Sequence, residues 1–388
     1  MNFTNMLIGI KNCVIETPNN EISTKNILNK LNNHITDDFF NSLSNIGVDN
    51  RYSIIEGYED YLIGKKNRKI LDSTTMMSSR AVNNLIDESE VSKNDIGMLI
   101  AISNTPDRLM PCMAYEVLAK SGERLNKDIT VLNLLFQGCS TINKAIDISQ
   151  NFCESNTGKK VIIVIAESHT GYAPQLKNKI HKSLSEIKGD DIESLEDSKE
   201  VISTILFGDA SCAMLLDTDE HNRLQFTKSV HQSVISPKDT ELLTVNDGGV
   251  LNPLYDGFPR YRMDKRVPAK GIIYVRYLLR LIEEKFKNLN ITIDDIDQYF
   301  LHTGSKKILT SIEKFLGIDN TMINKKSIYS HNALSKYANL SAASVPIMLC
   351  NYFKDILLNK EQKETPNYHL MFSFGVGFSA SSCIIKTR

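Results

Sequence analysis

Residues 130–153 read TVLNLLFQGCSTINKAIDISQNFC. The first part is apolar and β-branched and predicts a strand over 129–135. From 140 to 153, Ile142, Ala145, Ile146 and Phe152 recur at helical spacing. Gly138 stands at the junction, where a residue without a β-carbon permits a tight strand-to-helix turn. Cys139 follows it. A thiol at a helix N-terminus faces the positive end of the helix dipole, which favours thiolate. Strand, glycine, nucleophile and helix in that order form the mechanical arrangement of a nucleophile elbow. The same place also suits a small buried cysteine that fills a core gap, the ordinary fate of the residue.

Outward from this stretch, short apolar runs alternate with amphipathic helical ones. Further strands are expected over 7–15, 96–103, 161–166, 211–216, 298–302, 370–374 and 381–386. Two of them, IGMLIAIS and VIIVIA, are apolar on both faces, as strands covered by helices on each side must be. Ile308, Leu309, Ile312 and Leu316 form one stripe of a helix over 305–316. Such alternation predicts an α/β fold with largely parallel sheets. A faint internal echo adds to this: SKNDIGMLIAISNT from Ser92 is similar to ITIDDIDQYFLHTG from Ile291. LFGDASCAMLL from Leu206 likewise parallels FSFGVGFSASSCII from Phe372, each with a glycine corner expected to be a hairpin. Two similar halves would place a site where their strand ends meet. The polar, charged run 175–200 breaks the rhythm and reads as a surface insertion, a helix or a cap near the site.

Two further residues occupy comparable positions. His302, in QYFLHTGSKKIL, ends a strand and precedes a helix. It is either a satisfied polar residue or the proton acceptor or hydrogen-bond donor for Cys139. Asn339, in KYANLSAASVPIML, is either a helix N-cap or part of a site, and close packing beneath a site would account for the small residues after it.

Composition bounds the rest. Among 388 residues, 41% are hydrophobic, enough for a large core, and 45 Lys plus Arg against 46 Asp plus Glu leave a net charge of −1. That balance argues against a nucleic-acid partner. Seven scattered cysteines without CxxC spacing argue against a disulfide framework or a zinc ribbon and fit a reducing, cytoplasmic setting. The N-terminal MNFTNMLIGIKNCVIE lacks the basic start and apolar length of a signal peptide. No segment nears the roughly 20 apolar residues of a membrane span. No metal-ligand spacing, Walker loop or dinucleotide glycine motif is present, so no metal or redox cofactor is expected.

Together the segments resemble the β-ketoacyl-acyl-carrier-protein synthase III family of the thiolase superfamily, along nearly the whole chain and in order. SNTPDRLMPCMAYEVLAKSG from Ser103 is similar to the segment before that family's nucleophile. QGCST is similar to the nucleophile block, LFGDASCAMLL to the FGD block and FLHTGSKKIL to the histidine block. YANLSAASVP is similar to the asparagine block, and FGVGF to the C-terminal glycine turn. The resemblance implies two fused α/β halves in a five-layered αβαβα core, usually as a homodimer. Residues 1–220 would carry the nucleophile, and 221–388 the histidine and asparagine. It implies an acyltransferase of fatty-acid or polyketide biosynthesis. Cys139 would accept an acyl group from acyl-coenzyme A or an acyl carrier protein. His302 and Asn339 would hold a malonyl-type thioester and stabilise the enolate formed as CO2 leaves. The backbone amides of Cys139 and Val376 would form the oxyanion hole, and Met110 would reach across the dimer to the acyl pocket. Arg51 and Lys307 would contact coenzyme A or the carrier protein. Coenzyme A or phosphopantetheine thioesters enter as substrates, with no bound cofactor.

The chain departs from a housekeeping member of that family. It has extra residues near 175–200 and 235–260, HTGSKKIL where His-Gln-Ala-Asn is usual, and Val376 for a middle glycine. The histidine block leans towards type III polyketide synthases, and the departures favour a specialised substrate. Other readings are a non-decarboxylative acyltransferase to an alcohol or amine and a hydroxymethylglutaryl-CoA-synthase-like enzyme using Glu167 as base. A non-catalytic partner subunit is a fourth, although all three triad positions are filled. The basic runs 65–69 (KKNRK) and 260–266 (RYRMDKR) are solvated faces or docking sites for phosphates or an acidic carrier.

Overall fold

A strand that is apolar at every position can be satisfied only between two layers, and the chain has such strands at several points along its length. The computed structural model describes residues 7–176, 180–188, 191–245, 247–254, 259, 261–264, 266–302, 304–319, 321–358, 366–375 and 378–388. One ten-stranded sheet dominates them. Its strands are β1 (Ile8–Glu16), β2 (Ile96–Ser103), β3 (Thr130–Leu135), β4 (Lys160–Ser168), β5 (Asp209–Asp217), β6 (Leu224–Phe226), β7 (Val230–Ser233), β8 (Ile296–Leu301), β9 (Asn367–Gly375) and β10 (Ser379–Thr387). The order is β8-β9-β10-β6-β1-β5-β4-β2-β3, with β7 alongside β10. Only β2 with its two neighbours and β8 with β9 run parallel; the remaining pairs are antiparallel. The sheet is therefore mixed, not largely parallel. Its short connections, such as that between β9 and β10, return the chain antiparallel without a crossover helix.

Seven helices bear on the site: α1 (Thr74–Ser89), α2 (Met113–Lys120), α3 (Thr141–Ser155), α4 (Ile192–Leu206), α5 (Val267–Leu289), α6 (Lys306–Phe315) and α7 (Ser344–Leu358). Strand alternation sorts their packing. In β4, Val161, Ile163 and Ile165 enter a central core with α3 and α7, together with Phe300 of β8, Met371 of β9 and Ile385 of β10. The alternate residues Ile162 and Val164 pack against α1 and α2. On the other half, Leu370, Phe372 and Ile384 pack against α5 and α6. Helices, sheet, helices, sheet and helices thus stack as five layers, with one face of each half turned to the shared core. Each fully buried Ile, Leu or Phe there contributes about 1.5–3 kcal/mol over its exposed state. The three-residue β6 bonds to β1 on one side and β10 on the other, so the ladder passes from one half to the other.

One expectation changes, and an open one is narrowed. The corner at Phe207-Gly208 joins helix α4 to β5 and is no hairpin, whereas β9 and β10 do form one. Gly208 is required because a β-carbon there would lie 2.5 Å from the Tyr337 carbonyl oxygen. The insertion, as far as it is described, takes the helical form in its second half, where α4 begins. Asp191 caps α4, and Val201 and Ile205 of α4 are buried with Ile54, Tyr58 and Leu62. Ser183 and Ser185 donate to Asp38, and Thr36 donates to Glu186 at 2.6 Å. Residues 177–179 and 189–190 of that stretch lie outside the described residues.

Candidate active site

Cys139 sits just ahead of α3, buried at 8% exposure, beneath the end of β9. Gly138 takes φ 72°, the left-handed region that a side chain disfavours. A second glycine closes the turn from the other half. A β-carbon on Gly375 would lie 2.4 Å from the Cys139 amide nitrogen and 3.1 Å from Gly138. Backbone therefore packs directly on backbone at the nucleophile.

The sulfur of Cys139 lies 3.4 Å from the Ser341 hydroxyl. Ser341, at φ 49°, is held by its amide donating to Asn339 Oδ1 at 2.9 Å. Asn339 Nδ2 in turn donates to the Gly304 carbonyl at 3.4 Å, two residues beyond His302. Asn339 also holds the Phe207-Gly208 corner, since its amide donates to Leu206 O at 3.0 Å and its carbonyl accepts from Gly208 N at 3.3 Å. His302 ends β8; its amide donates to Phe372 O at 3.0 Å and its ring stands edge-on to Phe374 with centroids 5.2 Å apart. Through Ser341, Gly304, Phe374 and Gly375 the three residues come to one place at the meeting of the halves.

Burial dominates the electrostatics. It pushes the Cys139 thiol up to about 12, with the Glu167 charge adding and the Ser341 hydrogen bond opposing. Whatever the helix N-terminus contributes towards thiolate, desolvation of the anion acts against it. Burial likewise lowers His302 to about 4, so its ring is neutral at physiological pH and able to donate a hydrogen bond without charge. His302 Nδ1 is buried without a hydrogen-bond partner among the described residues.

Two residues of the site, Asn104 and Ser341, stood only as members of the SNTPDR and LSAAS segments, with nothing to single out either one. They act through contacts between segments far apart in the chain, and nothing periodic marks them. Gly375 was legible only as a glycine corner, not as the residue that packs on the nucleophile. Glu167 lies near the end of β4, fully buried, and accepts from Thr105 Oγ1 at 2.7 Å, from Asn104 Nδ2 at 2.9 Å and from Ala342 N at 3.2 Å. Burial raises it to about 7, against the pull of those donors. His169 lies 3.7 Å away and stacks on Phe207, its pKa lowered by burial to about 3.

A cavity of about 750 Å3 has in its wall Asn104, whose side-chain oxygen accepts from Gly138 N. Asn104, Phe136 and Tyr172 line one side, and Leu243, Val245 and Leu254 the other. Strands Leu243–Val245 and Tyr261–Met263 pair above it.

Arg51 does not reach a ligand. Its side chain is wholly buried, and it donates to Thr204 O and Phe207 O, both at 3.2 Å, and to Thr24 Oγ1 at 2.7 Å. Every one of these acceptors is internal, so its contact with coenzyme A is withdrawn. Lys307 is exposed in the first turn of α6, and Met110 is 85% exposed. Val376 lies outside the described residues. Of the basic runs, 65–69 is exposed and Arg68 donates to Gly171 O at 2.9 Å; Arg266 pairs with Asp264, and residues 260 and 265 are not described. Among the described residues no helix is long and apolar enough to cross a membrane, and no group of three or more His, Cys, Asp or Glu is placed to hold a metal ion.

Residues 286–387 match the family model for the C-terminal part of 3-oxoacyl-[acyl-carrier-protein] synthase III. A β-ketoacyl-[acyl-carrier-protein] synthase III of Streptococcus sanguinis (strain SK36) is 24% identical over 333 residues, which span 83% of this chain and 88% of that one. The protein of that name from Porphyra umbilicalis is 25% identical over 368 residues, 89% of this chain and 96% of the other. Among solved structures, the C-terminal type III polyketide synthase domain of Steely1, a type I/III hybrid from Dictyostelium, superposes with TM-score 0.74. It is 16% identical and covers 98% of this chain and 99% of that domain. CsyB, solved with coenzyme A, gives 0.75 at 14% identity, over 98% and 100%.

Proposed function

We propose that this chain, ketosynthase III-like in sequence and thiolase-like in fold, is an acyl-thioester condensing enzyme whose acyl acceptor is Cys139. The observation that carries this is the place of Cys139: a glycine-bounded turn between strand and helix, closed by Gly375 and faced by Ser341, with His302 and Asn339 close by. A neutral thiol at rest passes its proton to His302 as the thioester docks. The sulfur bonds to the acyl carbon, the acyl carbon's bond to the donor sulfur breaks, and coenzyme A or the carrier protein leaves as a thiol by taking that proton from His302, which is neutral again. A malonyl-type thioester then loses CO2. The enolate so formed takes hydrogen bonds from neutral His302 and from Asn339 Nδ2 and attacks the acyl carbon; the bond from that carbon to the Cys139 sulfur breaks, the β-keto product leaves, and the thiolate takes a proton from solvent to restore the neutral thiol. A neutral donor suits this step, because it stabilises developing charge without delivering a proton too early.

The Cys139 and Val376 amides serve as the oxyanion hole, Lys307 meets the carrier protein or coenzyme A, and no bound cofactor is needed. The enzyme works as a homodimer in the cytoplasm, with Met110 of each copy lining the acyl pocket of the other. A second reading, iterative extension as in a type III polyketide synthase, is favoured by one observation. The cavity walled by Asn104 and Phe136 is far larger than a single short acyl group requires, and falls in the 300–1,000 Å3 range of pockets that enclose whole ligands.

Intact-protein mass spectrometry of wild type and Cys139→Ala with a panel of acyl-coenzyme A thioesters, followed by malonyl donor, tests the proposal. An adduct on wild type alone, discharged with CO2 release, supports it, and the product mass separates one extension from several. If no thioester loads Cys139, a non-catalytic partner subunit becomes the better reading.

A further inference from the structure

We infer that Asn104 is a positioning residue for Cys139, an amide bridge that fixes both the nucleophile's turn and the hydroxyl beside its sulfur. Asn104 follows the last residue of β2 and forms part of the wall of the large cavity. Its Oδ1 accepts from Gly138 N at 3.0 Å, and its Nδ2 donates to Glu167 Oε1 at 2.9 Å and to Ser341 Oγ at 3.2 Å. The chemistry of the neighbours leaves the amide one orientation. A backbone N–H can only donate and a carboxylate can only accept, so oxygen faces Gly138 and nitrogen faces Glu167.

Glu167 is itself held in place, by Thr105 Oγ1 at 2.7 Å, by Ala342 N at 3.2 Å and by the Asn104 amide N–H. One planar group therefore ties the residue before the nucleophile, in the first half, to Ser341, in the second. Ser341 lies 3.4 Å from the Cys139 sulfur. Alanine supplies neither bond, serine is too short to span both, and aspartate keeps the acceptor while replacing the donor by a second carboxyl against Glu167. The titratable groups facing Glu167 are His169, at 3.7 Å, with Cys139 and Tyr172 within electrostatic reach.

The test is the rate of iodoacetamide alkylation at Cys139, followed by peptide mass spectrometry from about pH 6 to about pH 9. In Asn104→Asp the two carboxyls share a proton at the acid end and the bridge survives; as pH rises that proton leaves and like charges push the pair apart. The variant-to-wild-type rate ratio is expected to fall about 10- to 100-fold across the range, the scale of a small misplacement of a reacting group. Adding Glu167→Gln restores a donor opposite the introduced carboxylate, and the ratio should become flat with pH and return to within about threefold of wild type. Asn104→Ser should be slower by about tenfold at every pH, which keeps the test open if the aspartate variant fails to fold. Asn104→Asp tracking wild type at all pH values, or a folded Asn104→Ser alkylating at the wild-type rate, overturns the inference.

Acyl loading, which rests on the condensing reading, is measured in parallel. In the Asn104 variants its maximal rate should fall with the thioester KM unchanged. A wild type that alkylates at Cys139 but never loads a thioester defeats the condensing reading and leaves the positioning comparison standing.

Discussion

At Cys139 two influences of opposite sign meet, and burial wins. The thiol stands at the head of α3, yet is raised to about 12 because its anion would be stripped of water and faces the charge of Glu167. Its thiolate fraction should therefore grow about tenfold per pH unit across the neutral and mildly alkaline range, so that alkylation climbs from about pH 7 to about pH 10 with no plateau. Ser341→Ala, by removing the hydrogen bond that favours the anion, should slow the reaction at each pH, and Glu167→Gln should speed it. A plateau near pH 8 would mean that the resting thiol is far more acidic than its surroundings allow. Gly375 gives a sharper case. A methyl there would occupy space 2.4 Å from the Cys139 nitrogen, and both neighbours are backbone, which cannot swing aside. Gly375→Ala should lower acyl loading about 100-fold; loading at the wild-type rate in single-turnover mass spectrometry would show that the turn is looser than described.

Cys139, His302 and Asn339 were legible in the sequence because each lies at the end of a strand or the start of a helix, where periodicity changes. Asn104 was not, since its hydrogen bond to Ser341 spans 237 positions and leaves no local trace.

Elements were legible where burial imposed a pattern. IGMLIAIS forms β2 at its expected bounds, and the runs around 161–166 and 211–216 lie inside the longer β4 and β5. Strands β6 and β7 were missed because three or four residues cannot display a period. Strand direction was misjudged, because apolar runs report covering layers and not the sense of the neighbour. Arg51 was misread for a related reason: an arginine in a polar sequence, GVDNRYS, says nothing of what surrounds it. In the fold it clamps the end of α4 to Thr24, which opens the helix Thr24–Leu31, with three hydrogen bonds from a fully buried guanidinium. Lysine lacks the planar five-donor fork, so its single nitrogen cannot hold the arrangement that two guanidinium nitrogens make with these three acceptors. Arg51→Lys should cost about 3 kcal/mol in urea unfolding. Wild-type stability together with weakened coenzyme A binding would return Arg51 to the ligand.

The molecule as a whole leaves one face unfinished. Strand β3 ends the sheet and, among the described residues, has β2 as its only ladder partner. Beside it Leu109 is 65% exposed, Met110 85%, Tyr115 59% and Phe136 53%. An unpaired strand edge flanked by large apolar side chains is a surface that a soluble chain normally covers. Phe136 and Leu109 also line the large cavity, so whatever covers this face also bounds that cavity. The homodimer proposed above would satisfy both conditions, a second copy offering the same edge in antiparallel sense and the same apolar cluster in return. Light scattering of wild type should give twice the 43.7 kDa chain mass. Met110→Glu with Phe136→Glu, which buries charge at that contact, should give the single-chain mass with an unchanged far-ultraviolet circular dichroism spectrum. Those monomers should lose acyl loading while Cys139 stays reactive to iodoacetamide, because the opened cavity no longer encloses the acyl chain. A wild type that is monomeric at micromolar concentration, or a monomeric variant that loads thioesters normally, would remove the partner from the pocket.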